Sequence, residues 1–139
     1  MSHTASLLLN QSLIKQCSSC QCEECCKNSG AFIARLYEVP ISSVESTAQT
    51  TLSRYHTTAG NQRGFCVSCR SWLFHCSEKS DVILTVDPFD KDAIKHWGRQ
   101  LSCSEFHLWS EDPVKSLTDH LPGQNWKHHS QGKNTERIK

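Results

Sequence analysis

The chain has 139 residues, of which 37% are hydrophobic, and its 15 basic and 14 acidic side chains give a formal net charge of +1. This length predicts a single domain with short tails, and the near-zero charge gives no field that would attract nucleic acid or an anionic membrane. The longest aliphatic run, Leu7 to Leu9, is far shorter than the roughly 20 apolar residues of a membrane span or the core of a signal peptide. We therefore predict a cytoplasmic protein without nucleic-acid or membrane partners.

The nine cysteines are the strongest compositional signal. Thiols persist in a reducing compartment, so metal binding is favoured over a disulfide framework or plain buried thiols. Metal ligation also supplements the modest hydrophobic core of a small domain. The sequence therefore predicts zinc as the cofactor.

The first half of the chain alternates strand-like and polar segments. Residues 1–16 form an N-terminal lead-in that holds either one short strand or no regular structure. Phe32, Ala34 and Leu36 share one face of a predicted strand over residues 31–39. A second predicted strand, 51–56, follows a polar loop.

The second half predicts a β-hairpin and a last strand. Alternating apolar residues favour strands over 71–76 and 82–86, and the two pair as a hairpin. Residues 87–98 form a polar connection with one helical turn, and 105–109 read as the last strand. Residues 124–139 have the composition of a disordered polar tail. The fold class is therefore mainly β.

Cys20, Cys22 and Cys25 form a Cys-x-Cys-x-x-Cys motif. An extended backbone followed by a tight turn brings three thiolates together. Zinc is usually tetrahedral, so three protein ligands leave one position for water or substrate. An all-sulfur shell suits an incoming thiol, since zinc stabilises the thiolate. The alternative is a closed structural site with Cys17 or Cys26 as fourth ligand.

Cys66 and Cys69 form a Cys-x-x-Cys knuckle that leads directly into the strand 71–76, as in zinc ribbons. One such pair supplies half of a metal site. A redox role requires a thioredoxin-like βαβ context, which the sequence lacks. Arg63 and Lys27 flank the cysteine clusters and are candidates for binding an anionic substrate, although charges beside turns are commonly only solvated.

The combination of motifs resembles the glutathione-dependent formaldehyde-activating enzymes, a family grouped with centromere protein V. The resemblance spans residues 17–123 and implies an Mss4-like fold of small antiparallel sheets with zinc-ribbon-like knuckles. It rests on the Cys20–Cys25 motif continuing into Lys27–Gly30, Arg63–Cys69 continuing into Leu73–Phe74, His107–Trp109, and Leu121–Gly123.

The resemblance implies a role for each cluster. Cys20, Cys22 and Cys25 correspond to the catalytic zinc ligands, and Cys66 and Cys69 to half of a structural zinc site. The implied substrates are glutathione or another small thiol and a small electrophile. The implied activity is that of a carbon–sulfur lyase, such as formation of S-hydroxymethylglutathione from glutathione and formaldehyde.

The chain departs from the family pattern at three places. No Cys-x-Cys pair stands before Cys17 to complete the structural site. Either the natural chain starts upstream of Met1, or the site is rebuilt from a Cys at 17, 76 or 103 or from a His, or the protein carries one metal. In addition, Cys26 replaces a usual basic residue and Arg70 a usual Gly.

Two further hypotheses for the function are a noncatalytic zinc-binding interaction module and a degenerate relative without the structural zinc.

Overall fold

The computed structural model describes residues 14–44, 49–57, 60–76, 82–85, 89, 91–130 and 135–138. Within these ranges a mixed sheet of nine strands accompanies two α-helices, which confirms the predicted mainly β class. Neither helix has the length and apolar content needed to cross a bilayer. The elements are β1 Gln16–Cys20, α1 Glu23–Ser29, β2 Ala34–Val39, β3 Leu52–His56, β4 Gln62–Cys66, β5 Trp72–Cys76, β6 Val82–Leu84, α2 Lys91–Ser102, β7 Phe106–Leu108, β8 Gln124–Trp126 and β9 Arg137–Ile138.

The chain divides into two compact units, of which the first comprises residues 1–16 and 37–101. Its strands are antiparallel and hydrogen-bonded in the order β3-β4-β5-β6-β2. The pairing of Phe74 with Leu84 confirms the predicted hairpin of β5 and β6. Alternate side chains of these strands bury the core, as expected for a half-buried sheet. The buried apolar residues of this unit are Tyr37, Val39, Cys66, Trp72, Val82, Leu84, Phe89 and Leu101.

The last turn of helix α2 contacts Tyr37 of the same unit. The Tyr37 hydroxyl donates a hydrogen bond to the carbonyl of Leu101. The Tyr37 ring meets that of Phe89 edge to face, with centroids 5.6 Å apart. The helix has 12 residues, more than the one turn predicted. Ile94, Trp97 and Leu101 lie at helical spacing, so this part of the chain has an apolar stripe.

The second unit comprises residues 17–36 and 102–139. Strands β1, β7 and β8 are parallel, through pairs such as Ser19 with His107 and His107 with Asn125. Strand β9 pairs antiparallel with β8, through Asn125 and Ile138. Because β1, β7 and β8 run in the same direction, their carboxyl ends meet at one edge of the sheet.

The structure also differs from the sequence predictions before β2 and in the tail. Strand β2 begins at Ala34, and Phe32 lies in the preceding turn with 65% of its surface exposed. Strands β8 and β9 replace the disorder predicted for 124–126 and 137–138, since their backbones pair with β7 and with each other. Composition does not reveal such pairing, because the bonds involve backbone groups. Val86 and residues 1–13 lie outside the described residues.

Candidate metal centre

Cys20, Cys22 and Cys25 converge in the second unit. Cys20 is the last residue of β1, Cys22 caps the amino end of α1, and Cys25 lies in the first turn of that helix. Their three sulfur atoms all lie within 4.8 Å of one another. Cys20 and Cys25 are buried, whereas Cys22 is partly exposed. The structure thus brings together the three residues that the motif predicted, with solvent access through Cys22.

The strand-to-helix transition produces this convergence. Cys22 has extended backbone angles, φ −65° and ψ 151°, and its sulfur accepts a hydrogen bond from the Cys25 amide at 3.4 Å. This is an N-cap contact with sulfur in place of the usual oxygen. A short helix therefore replaces the predicted tight turn, and Gly30, with φ 65°, ends it in the left-handed conformation.

The electrostatics of the cluster fit a bound cation. Contacts with the Cys22 and Cys25 sulfurs and then burial raise the pKa of Cys20 above its ordinary value. Three thiolates this close repel one another, so all three are deprotonated together only when a positive charge lies between them. Sulfur ligands favour zinc among the common divalent ions. The three residues present therefore fit a zinc ion.

Cys26 and Cys17, the two alternatives for a fourth zinc ligand, make other contacts. The Cys26 thiol donates to the carbonyl of Phe32 at 3.3 Å. Cys17 neighbours Glu105 and Cys103, and burial followed by these groups raises its pKa. In the ranges given above, only the three-sulfur group gathers enough His, Cys, Asp or Glu ligand atoms for a metal. The described residues thus leave the fourth position open.

A buried hydrogen-bond chain supports the strand that carries Cys20. The Ser19 hydroxyl lies 2.6 Å from Nδ1 of His107, and Nε2 of His107 lies 2.9 Å from the carbonyl of Pro122. A carbonyl only accepts, so Nε2 carries the proton and Nδ1 accepts from Ser19. Both side chains are almost fully buried. Local sequence patterns assign no role to Ser19, because its partner lies 88 residues away.

Gly123 explains part of the motif Leu121–Gly123. Its φ is 137°, and a Cβ there would lie 2.9 Å from Nε2 of His107 and 3.0 Å from the carbonyl oxygen of Glu105. Only glycine lets the backbone pass this close. Two of the motifs that carried the resemblance, around residues 107 and 122, therefore meet around one histidine.

Cys66 and Cys69 form the predicted knuckle in the first unit. The Arg70 amide donates to the Cys66 carbonyl at 2.8 Å, which closes the turn between β4 and β5. The Cys69 amide and then the Thr51 hydroxyl donate to the Cys66 sulfur and lower its pKa to about 6. No third metal ligand joins this pair within the described part of the chain. Among the described residues, the knuckle therefore supplies two ligands, which is half of a tetrahedral metal site.

Arg63 and Lys27 occupy contrasting positions. Arg63 is 5% exposed, and its guanidinium carbon lies 4.9 Å from the centre of the Trp72 ring in the first unit. Lys27 is exposed on α1 and pairs with Glu23 one turn earlier. Substrate binding by either residue stays a prediction.

A sulfur-lined site at the edge of a small sheet unit places the protein in the class of β-rich proteins with a candidate metal centre. More specifically, the chain belongs to the family described as glutathione-dependent formaldehyde-activating enzyme, whose family model matches residues 9–112. This match confirms the family to which the sequence motifs pointed. No curated protein shows significant similarity to the chain. The matched range includes both cysteine clusters but ends before Leu121–Gly123 and His128–His129.

Proposed function

We propose that the protein is a zinc-dependent enzyme that forms or breaks the carbon–sulfur bond of a glutathione adduct. The observation that carries the proposal is the three-sulfur cluster with no fourth ligand among the described residues. A closed structural site would fill this position with protein. The family match supports glutathione as the thiol.

When bound, zinc supplies Lewis-acid chemistry that keeps a thiol deprotonated at neutral pH. Cys20, Cys22 and Cys25 would hold the ion and leave room for a fourth sulfur. In the reaction with formaldehyde, the glutathione sulfur forms a bond to the carbonyl carbon. The π electron pair moves to oxygen, which takes up from solvent a proton equivalent to the one that the thiol released, and S-hydroxymethylglutathione results. The reverse reaction releases both substrates.

Cys22 is the partly exposed member of the cluster, whereas Cys20 and Cys25 are buried. The Cys25 amide in the first turn of α1 donates to the Cys22 sulfur, which favours the anionic form of that sulfur. A thiol would therefore reach the open fourth position from the side of Cys22.

The Cys22→Ser variant tests this assignment. We expect it to lose zinc affinity and turnover of formaldehyde with glutathione while the first unit stays folded. Cys26→Ser is the matched control, since Cys26 is on the same helix but bonds to Phe32. It should keep both zinc and activity.

Elemental analysis and X-ray absorption at the zinc edge provide the direct test. We expect three sulfur ligands without glutathione and four with it. A four-sulfur shell that does not change on adding glutathione would contradict the proposal and favour a noncatalytic zinc module. Equal losses in the two serine variants would also contradict the division of roles.

A further inference from the structure

The edge of the second unit that carries the sulfur cluster also carries an aromatic group. Strand β1 ends at Cys20, β7 is followed by Trp109, and β8 is followed by Lys127, His128 and His129. The Gln21 amide donates to the Leu108 carbonyl at 3.1 Å, and the Trp109 amide donates to the His128 carbonyl at 3.1 Å. Backbone hydrogen bonds thus link the cysteine motif to β7 and Trp109 to His128, which His129 follows in the chain.

Trp109 is held in a rare backbone conformation. Its φ is 56°, which is an outlier for a bulky side chain. The next residue, buried Ser110, fixes it: the Ser110 hydroxyl lies 3.1 Å from the carbonyls of both His107 and Trp126. Conformations of this kind persist where the surroundings enforce them, and they cluster at functional sites. Trp109 is 38% exposed at the edge.

Both imidazoles pack edge to face with this indole. Ring centroids lie 4.5 Å apart for His128 and 5.7 Å apart for His129, at interplanar angles of 81° and 89°. Within the ranges that the structure describes, no other residue hydrogen-bonds to either ring. A neutral imidazole carries one N–H donor and an imidazolium carries two. The edge thus offers oriented donors beside a flat apolar surface.

The imidazole N–H groups of His128 and His129 are better placed to bind an anion than the neighbouring Lys127. Lys127 is 2.9 Å from Glu136 and 3.6 Å from Glu111, so acidic partners compensate its charge. The histidines are not part of a metal cluster either, since the described ligand groups include only the three cysteines. A small peptide with a carboxylate fits both the imidazole donors and the indole surface.

We propose that Trp109, His128 and His129 form a subsite for the peptide portion of glutathione, with an imidazole N–H group bound to one of its carboxylates. The inference rests on the proposed function, because the thiol of the same molecule would occupy the metal. The two histidines lie beyond the residues that the family model matches.

The test measures thiol binding to the zinc-loaded full chain by calorimetry. We expect His128→Ala/His129→Ala to bind glutathione about tenfold more weakly, the effect of losing one hydrogen bond to a charged group. Its affinity for 2-mercaptoethanol, which has the thiol but no carboxylate, should not change. Glutathione diethyl ester should bind equally to wild type and variant.

A similar pair in the first unit supplies the control. His96 and Trp97 on α2 pack edge to face at 4.6 Å, and His96→Ala should leave glutathione affinity unchanged. The single variants His128→Ala and His129→Ala provide a second test if the double variant misfolds. At least one of them should weaken glutathione binding selectively, and wild-type affinity in both would overturn the subsite.

The outcomes separate this inference from the proposed function. Wild-type affinity for glutathione in the histidine variants, with a fourth sulfur still added to zinc, would overturn the subsite and leave the proposed function standing. Failure of wild-type protein to add a sulfur from either thiol would overturn both. Equal weakening of glutathione and 2-mercaptoethanol would assign the histidines to the metal site and overturn the carboxylate contact.

Discussion

Arg70 follows the Cys66–Cys69 knuckle with φ 66°, in the left-handed region. This conformation costs an L-residue roughly 1–2 kcal/mol and costs glycine almost nothing. The structure therefore gives a physical reason for the glycine that the family pattern usually has here. Arg70 keeps the turn because the amide of Arg70 still bonds to the Cys66 carbonyl.

We predict that Arg70→Gly raises the free energy of unfolding by about 0.5–1 kcal/mol, after allowing for the greater entropy of glycine in the unfolded chain. Urea denaturation of the zinc-loaded protein measures the change. Arg70→Ala is the control: it removes the same charge and retains the strain, so it should lie within about 0.5 kcal/mol of wild type. Equal stabilisation by both substitutions would show that charge and not backbone conformation is responsible.

Strands β1 and β7 are joined by a buried side-chain contact as well as by their backbones. The Ser19 hydroxyl donates to His107, whose other nitrogen donates to Pro122. We predict that Ser19→Ala destabilises the protein by about 1–3 kcal/mol, because it leaves a buried acceptor without its donor. Thermal or urea unfolding monitored by circular dichroism provides the measurement.

A double-mutant cycle identifies the cause of that loss. In a His107→Leu background, Ser19→Ala should cost much less, since the acceptor is already absent. Additive effects of the two substitutions would refute the coupling. Because Ser19 precedes a cluster cysteine, zinc affinity should fall with stability in the single variant.

At the scale of elements, the sequence predicts those whose side chains alternate. The segments of β2, β3, β5, β6 and β7 were found within a few residues of their true bounds. Strand β4 was missed because Gly64 interrupts its pattern; in the structure Gly64 lies opposite Phe74, whose ring fills the space that a Cβ would take. Local propensity does not report such a cross-strand partner.

Helix α1 and the cysteine cluster beside it also show that local sequence patterns do not report contacts between distant segments. Its seven residues, EECCKNS, have no apolar stripe, and it begins where Cys22 caps it. The spacing of Cys20, Cys22 and Cys25 was sufficient to predict the cluster, because all three residues are close in sequence. Ser19, His107 and the edge around Trp109 were not predicted as a group, since parallel pairing joins distant segments.

For the whole molecule, the described residues contain one three-ligand metal group, in the second unit. We therefore expect one zinc per chain and predict that a strong chelator exposes the second unit selectively. Metal binding and folding are coupled, so the segments that hold the ion lose protection when it leaves. Hydrogen exchange with mass spectrometry should show faster exchange in residues 16–29 and 106–108.

The knuckle between β4 and β5 serves as the internal control of that experiment. Its amides should exchange at the same rate before and after chelation if Cys66 and Cys69 hold no metal. Two zinc ions per chain, or faster exchange at 62–76 on chelation, would instead show that the structural site has been completed.

The division of the second unit into residues 17–36 and 102–139 has a consequence for biosynthesis. The three cysteines leave the ribosome before His107, which follows Ser19 by 88 residues. At roughly 5–20 residues per second, this separation corresponds to about 4–18 s of translation. During that interval the thiols are present without the strand that positions them, so their protection from oxidation depends on the reducing capacity of the cell and on early capture of metal.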